Sequence, residues 1–132
     1  MIYREDIDIS FAIVGALIGA LIGEVNGLLI ALIVFMVVDY ITGVLAAIMS
    51  KKLSSAVGFR GLIGKACILL VVILGNVVDV YVVQSGAVCR TACILFYLSN
   101  EGISIVENYC ILGLPFPEKL KKVLEQLTND DE

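Results

Sequence analysis

Between Phe11 and Gly113 the chain is almost continuously apolar, interrupted by three short separators. A helix needs about 20 apolar residues to cross the hydrocarbon of a bilayer. Three stretches reach that length: Gly27 to Met49, Leu62 to Val83 and Ala87 to Gly113. A fourth, Ile7 to Gly23, is shorter and spans only if Asp8 and Ser10 sit at the interface or the bilayer thins locally. The separators read as turns. Glu24-Val25-Asn26-Gly27 contains Asn-Gly, Gln84-Ser85-Gly86 is tight and uncharged, and Ser50 to Gly61 is longer and basic. After Gly113, Pro115 and Pro117 stop the last long helix. Leu120, Val123, Leu124 and Leu127 then recur at helical spacing among lysines and glutamates, which predicts a short amphipathic helix. The pattern predicts an all-α, polytopic membrane protein. Residues 1–113 form a transmembrane domain with four spans, approximately 7–23, 27–49, 62–83 and 87–113. Residues 114–132 form a cytoplasmic amphipathic helix and an acidic tail. The rival is three spans, with the first segment lying at the interface.

Charge orients the spans. Lys51, Lys52 and Arg60 share the middle loop with no acid, and Lys65 lies just beyond it. By the positive-inside rule that loop is cytoplasmic. Lys119, Lys121 and Lys122 fall on the same side two spans later, and Arg4 joins them if there are four spans. Of nine Lys and Arg, only Arg90 then falls near the outer face. Both termini are expected in the cytoplasm. The first apolar stretch follows Glu5, Asp6 and Asp8, so no cleavable signal peptide is expected.

Composition narrows the chemistry. The 132 residues are 60% hydrophobic, against about 45–50% in soluble domains, so the apolar surface exceeds what a water-soluble core of this size could hide. The net charge is −4 and no basic field is available for nucleic acid. There is no His, which removes the commonest general base and metal ligand. Cys67, Cys89, Cys93 and Cys110 form no CxxC pair and read as packing residues. No catalytic constellation, metal-ligand cluster or cofactor motif is present. Gly58, Gly61 and Gly64 lack the strand and the Lys-Ser/Thr ending of a phosphate loop.

Two features could carry function. Gly15, Gly19, Gly23 and Gly27 recur every four residues, a ladder that suits close helix packing, within one copy or between copies. The second is a set of polar residues inside the spans: Asp39, Asn76, Asp79, Arg90, Asn100, Glu101, Ser104, Glu107 and Asn108, with Lys65 at the edge. Charges at such depth need partners, water or an interface. Asp79 and Arg90 could pair across the hairpin, and Lys65 could snorkel to the cytoplasmic face. Glu101, Ser104 and Asn108 form a stripe on one face of the last span, read either as an internal hydrogen-bond network or as the lining of a water-filled opening.

The stretches DYITGVLAAI (Asp39 to Ile48) and KKLSSAVGFRGLIGK (Lys51 to Lys65) resemble the toxin-secretion and phage-lysis holin family. So do FYLSNEGISIVEN (Phe96 to Asn108) and GLPFPEKLKKVLEQL (Gly113 to Leu127). The resemblance covers roughly Gly27 to Leu127. It implies a small membrane protein that is not an enzyme, needs no cofactor, and self-assembles in the lipid bilayer as a homo-oligomer. Its lesions would release an endolysin or export a large toxin, and an antiholin could regulate it. The rivals are a small ion channel or transporter, and an antiholin-like regulator or subunit that never permeabilises alone.

Overall fold

The structure is a computed structural model that describes residues 2–129. Polar side chains at the separators decide where the helices break. Asn26 accepts a hydrogen bond from Leu29 N at 3.0 Å and Ser54 accepts one from Val57 N at 3.1 Å, so each caps the start of the helix that follows. The elements are α1 (Ile2–Ile22), α2 (Gly27–Met49), α3 (Ser55–Val77), α4 (Val88–Leu112) and α5 (Glu118–Asn129). A π-helical segment, Val78–Val83, continues α3 to a left-handed Gln84. No strand occurs among the described residues.

The all-helical expectation holds. Two helices, α2 and the continuous Ser55–Val83 segment, are long and apolar enough to cross a membrane. Helices α1 and α4 are of similar length but more charged, with Arg4, Glu5, Asp6 and Asp8 on one and Arg90, Glu101 and Glu107 on the other. The third long helix starts seven residues before the expected Leu62, because Ser54 caps it. Arg60 therefore lies on α3, and the loop shrinks to residues 50–54. The expected acidic tail falls, at residues 130–132, outside the described residues.

Helix α4 is the hub: α2, α3 and α5 all pack on it, whereas the backbone of α1 comes close to α3 alone. Leu29, Leu32 and Met36 form one face of α2 at i, i+3 and i+7, and cluster with Ile94 and Leu98 of α4 and Val72 of α3. A Cβ at Gly75 would stand 3.1 Å from Arg90 Cα, so only glycine admits so close an approach of α3 to α4. The outside is as apolar as the inside: Ile30, Val34, Val37 and Ile41 are about half exposed, at 51–53%. So much exposed aliphatic surface suits lipid and not water.

Gly113 (φ +70°) ends α4 in a left-handed turn, with Leu114 N donating to Tyr109 O at 3.1 Å. The turn sends α5 back along α4. Leu124, 4% exposed, is the anchor: a Cβ at Gly102 would lie 2.9 Å from Leu124 Cδ2. A helix of 12 residues is marginal alone, and one buried leucine contributes about 1.5–3 kcal/mol. Leu124→Ala or Gly102→Val should therefore free α5. Trypsin cleavage at Lys119, Lys121 and Lys122 in detergent should accelerate at least about tenfold. An unchanged rate would mean that α5 is not held by this contact.

Candidate functional site

Below the apolar α2–α4 seam, the same helical periodicity that supplied Leu29, Leu32 and Met36 delivers Asp39 and Thr42 to the interior. On α4 the buried row Ile94, Leu98 continues to Glu101 and Ile105. α3 brings Lys65. Its ammonium pairs with Asp39 Oδ2 and with Glu101 Oε2, so one cation is shared by carboxylates from two other helices. Asp39 Oδ1 accepts from Ser104 Oγ at 2.6 Å and from Asn108 Nδ2 at 2.9 Å. Asn108 Nδ2 also reaches Thr42 Oγ1 at 2.9 Å and Asp39 O at 3.1 Å. Thr42 Oγ1 donates to Val38 O at 2.8 Å. Among the described residues no buried side-chain nitrogen or oxygen lacks a partner. This satisfaction is the condition for holding such groups at membrane depth.

The cluster borders a cavity of about 210 Å³ between α2 and α3, lined by Asp39, Tyr40, Gly58, Gly61, Lys65 and Ser104 among others. Tyr40 leans on Gly61 and its hydroxyl donates to Gly58 O at 3.4 Å. The sequence had singled out Asp39, Glu101, Ser104 and Asn108, and the structure brings them together. Lys65 does not snorkel to the surface. It turns inward because two carboxylates lie within its reach. Thr42 and Tyr40 were missed. Thr42 carried a signal, since it sits one turn from Asp39, whereas nothing local marked Tyr40.

The other polar residues lie elsewhere. At the opposite end of the bundle, Asp79 accepts from Cys89 N at 3.0 Å and Arg90 N at 2.8 Å. These are orphan donors of the first turn of α4, whose N-cap, Ala87, has no capping side chain. Arg90 makes no side-chain ion pair with Asp79. Its guanidinium donates to Ile22 O at 2.9 Å and to Glu24 O, and Asn76 Nδ2 donates to Leu21 O at 2.8 Å. The expected cross-hairpin pair is thus a cap for two helices: Asp79 closes the start of α4, and Arg90 and Asn76 close the end of α1. Asn100 and Glu107 are exposed, outside both clusters. Glu107 borders a cavity of about 190 Å³ with Lys121 and Glu125 of α5.

The four glycines do not share one helix. Gly15 and Gly19 lie on α1 with open space where a Cβ would be. Gly23 takes φ +88° in the turn against Asn76, and Gly27 opens α2. Lys51 and Lys52 are exposed in the α2–α3 loop, as are Arg60 on α3 and Lys119 and Lys122 on α5. Lys121 is half-buried.

Residues 16–129, which contain the ion cluster, both caps and α5, match the bacteriophage holin family. The chain belongs to that family. Holins form a membrane-permeabilising family and not an enzyme family, and the apolar exterior of this one fits a membrane protein. It is 43% identical to an uncharacterized 14.9 kDa protein of the nagH 3′ region of Clostridium perfringens, over 65% of each chain. It is 40% identical to the uncharacterized protein Lmo0128 of Listeria monocytogenes, over 61% of this chain and 57% of that one. It is also 36% identical to a protein named probable holin from Bacillus phage phi105, over 67% of this chain and 65% of the phage protein. Each match thus covers about two thirds or less of the relative's own length. No solved structure matches the chain.

Lys65→Met would strand two carboxylates. Breaking a buried pair from one side costs about 3–5 kcal/mol, so the protein should unfold much more readily in detergent. The triple change Lys65→Met, Asp39→Asn, Glu101→Gln should recover part of the loss, because no unpaired charge is left. A single variant no less stable than the triple one would show that the pairing does not hold the three helices.

Proposed function

We propose that this chain acts as a holin in a bacterial cytoplasmic membrane. It inserts harmlessly, accumulates, and then self-assembles into lesions that pass an endolysin or a large exported toxin. All four long helices span, both termini face the cytoplasm, and α5 lies at the cytoplasmic interface as part of segment 114–132. Residues 1–113 are the transmembrane unit. The basic loop at Lys51 and Lys52 and the lysines of α5 support this orientation.

One observation carries the mechanism: every member of the Lys65–Asp39–Glu101–Ser104–Asn108 cluster is partnered inside a bundle whose exterior is apolar. Such a bundle can reside in lipid without conducting. Above a threshold density, helices brought together along the exposed small residues of α1 rearrange. The α4 stripe of Glu101, Ser104 and Asn108 then trades its internal partners for water lining an opening. The exchange keeps the polar groups partnered in both states, by one another and then by water, which is what a two-stage permeabiliser requires.

The reading is tested by induced expression in a bacterium that also makes a folded cytoplasmic endolysin, with optical density and membrane potential followed together. A delayed, abrupt depolarisation and endolysin-dependent lysis are expected. Steady ion leakage without endolysin escape would favour a channel, and no effect at confirmed membrane expression would favour a regulator or subunit. Gly19→Leu should shift or abolish the timing of lysis. Glu101→Leu should alter lesion formation, whereas Glu101→Gln should retain it if hydrogen bonding and not charge is what matters. Unchanged timing in Gly19→Leu at equal expression would remove α1 packing from the mechanism.

A further inference from the structure

The geometry points to a specific self-association: α1 of one copy seats in the groove between α2 and α3 of a second copy. This rests on the self-assembly proposed above and names the two faces that meet.

The first face is α1. Every residue from Tyr3 to Leu21 is exposed, and the helix is held only at its last turn, where Ile22 is buried and Asn76 and Arg90 cap its carbonyls. Its backbone does not approach its own α2, and only Ile22 joins the core that α2 lines. Its apolar part, Ile9 to Ile22, is about 21 Å long at 1.5 Å per residue, short of the ~30 Å hydrocarbon thickness. The acids Glu5, Asp6 and Asp8 therefore sit at a depth where a partner is needed.

The second face is a groove. The 210 Å³ cavity beside the ion cluster adjoins another of about 420 Å³ that opens toward Lys52, and both are lined by Gly43, Val57 and Asn108. Small residues form its walls and let a helix backbone approach. Its floor is polar, at Lys65, Ser104 and Asn108, so bare hydrocarbon covers it poorly.

Depth and charge match the two faces. Asn76 is bonded to Leu21 O, so these residues are level. Moving about 16 Å toward the α2–α3 loop reaches Lys65 on α3 and Ser10 on α1. By the same count, Arg60 is level with Glu5, and Val57 is nearly level with Tyr3. Copies in one bilayer share these depths. The first turns of α1 carry three acids and Arg4, whereas the α2–α3 loop and the first turns of α3 carry Lys51, Lys52 and Arg60; Lys65 and Asp39, which also line the groove, are paired with each other. Because the two faces differ, the contact is heterologous and can be repeated from copy to copy, closing into a ring or extending as an array.

The test uses a chain with all four cysteines replaced, produced with two different tags in the same membrane. Tyr3→Cys in one copy and Val57→Cys in the other should give a mixed-tag disulfide on oxidation. Phe59→Cys, near the same depth and more exposed, should not. Glu5→Lys should reduce the mixed dimer, and Arg60→Glu in the partner should restore it. Equal cross-linking at Phe59, no mixed dimer, or a disulfide confined to single chains bearing both cysteines would overturn the proposal. Depolarisation by the cysteine-free chain is recorded in parallel. Lesions without the mixed dimer would reject this interface and leave the holin reading standing. The mixed dimer without lesions would do the reverse.

Discussion

The bundle depends on one ammonium group. Both ion pairs found among the described residues end on Lys65. They tie α3 to α2 through Asp39 and to α4 through Glu101. α2 and α3 otherwise meet sparingly, near Tyr40, so Lys65 closes the triangle that α4 leaves open. An apolar core of similar volume would be an equally stable or more stable solution in most proteins. A buried ion cluster is therefore a poor choice for stability alone. Its use is easier to understand if the groups must be satisfied in two different surroundings, one dry and one wet.

The opposite end of the bundle shows what purely structural polarity looks like in the same chain. Asp79, Arg90 and Asn76 are buried or half-buried too, but each is spent on main-chain groups that a helix end leaves unpaired. In hydrocarbon those groups have no water to turn to. The π-helical segment places Asp79 under the start of α4, and Gly75 brings the two backbones close enough for the carboxylate to reach. This knot holds α1 by its last turn only. The first helix consequently joins the bundle as an appendage, while α2, α3 and α4 share a core.

Much of this was legible in the sequence, for physical reasons that differ by element. Apolar length marks α2, the Ser55–Val83 segment and α4, and Gly113 and the Gln84-Ser85-Gly86 turn bound α4 at Val88 and Leu112, whereas α1 begins at Ile2, ahead of the apolar run from Ile7. The apolar run from Leu62 does not reveal where α3 starts, because the helix is set by a serine cap in a polar region ahead of it. The stripe Glu101, Ser104, Asn108 was visible as a helical face. Its partners were not, since Asp39 and Lys65 are brought to it only by tertiary packing, and Lys65 read as a surface-seeking lysine. Regular spacing also misled: Gly15, Gly19, Gly23 and Gly27 look like one ladder, yet Gly23 takes a turn conformation that divides them. Leu124 was visible as part of the apolar face of α5, but Gly102, against which it docks, gave no local signal, because a lone glycine in a helix is uninformative until the residue that fills its gap is known.

Opening by the proposed mechanism must also be collective, for an energetic reason. A single copy that turned Glu101, Ser104 and Asn108 outward would present a polar stripe with a carboxylate to hydrocarbon, at a cost of a few kcal/mol for the carboxylate alone, and would leave the Lys65–Asp39 pair without its Glu101, Ser104 and Asn108 partners. No interaction in the isolated bundle offsets that. Several copies turning their stripes toward one another enclose water, and the same groups are then solvated. The expense falls on the first copies to move and declines as the enclosed volume grows. A process of this kind stays quiet at low density and proceeds abruptly once enough copies are in register. On the proposed mechanism, the sealed cluster is both the lock of the resting bundle and the lining of the open one.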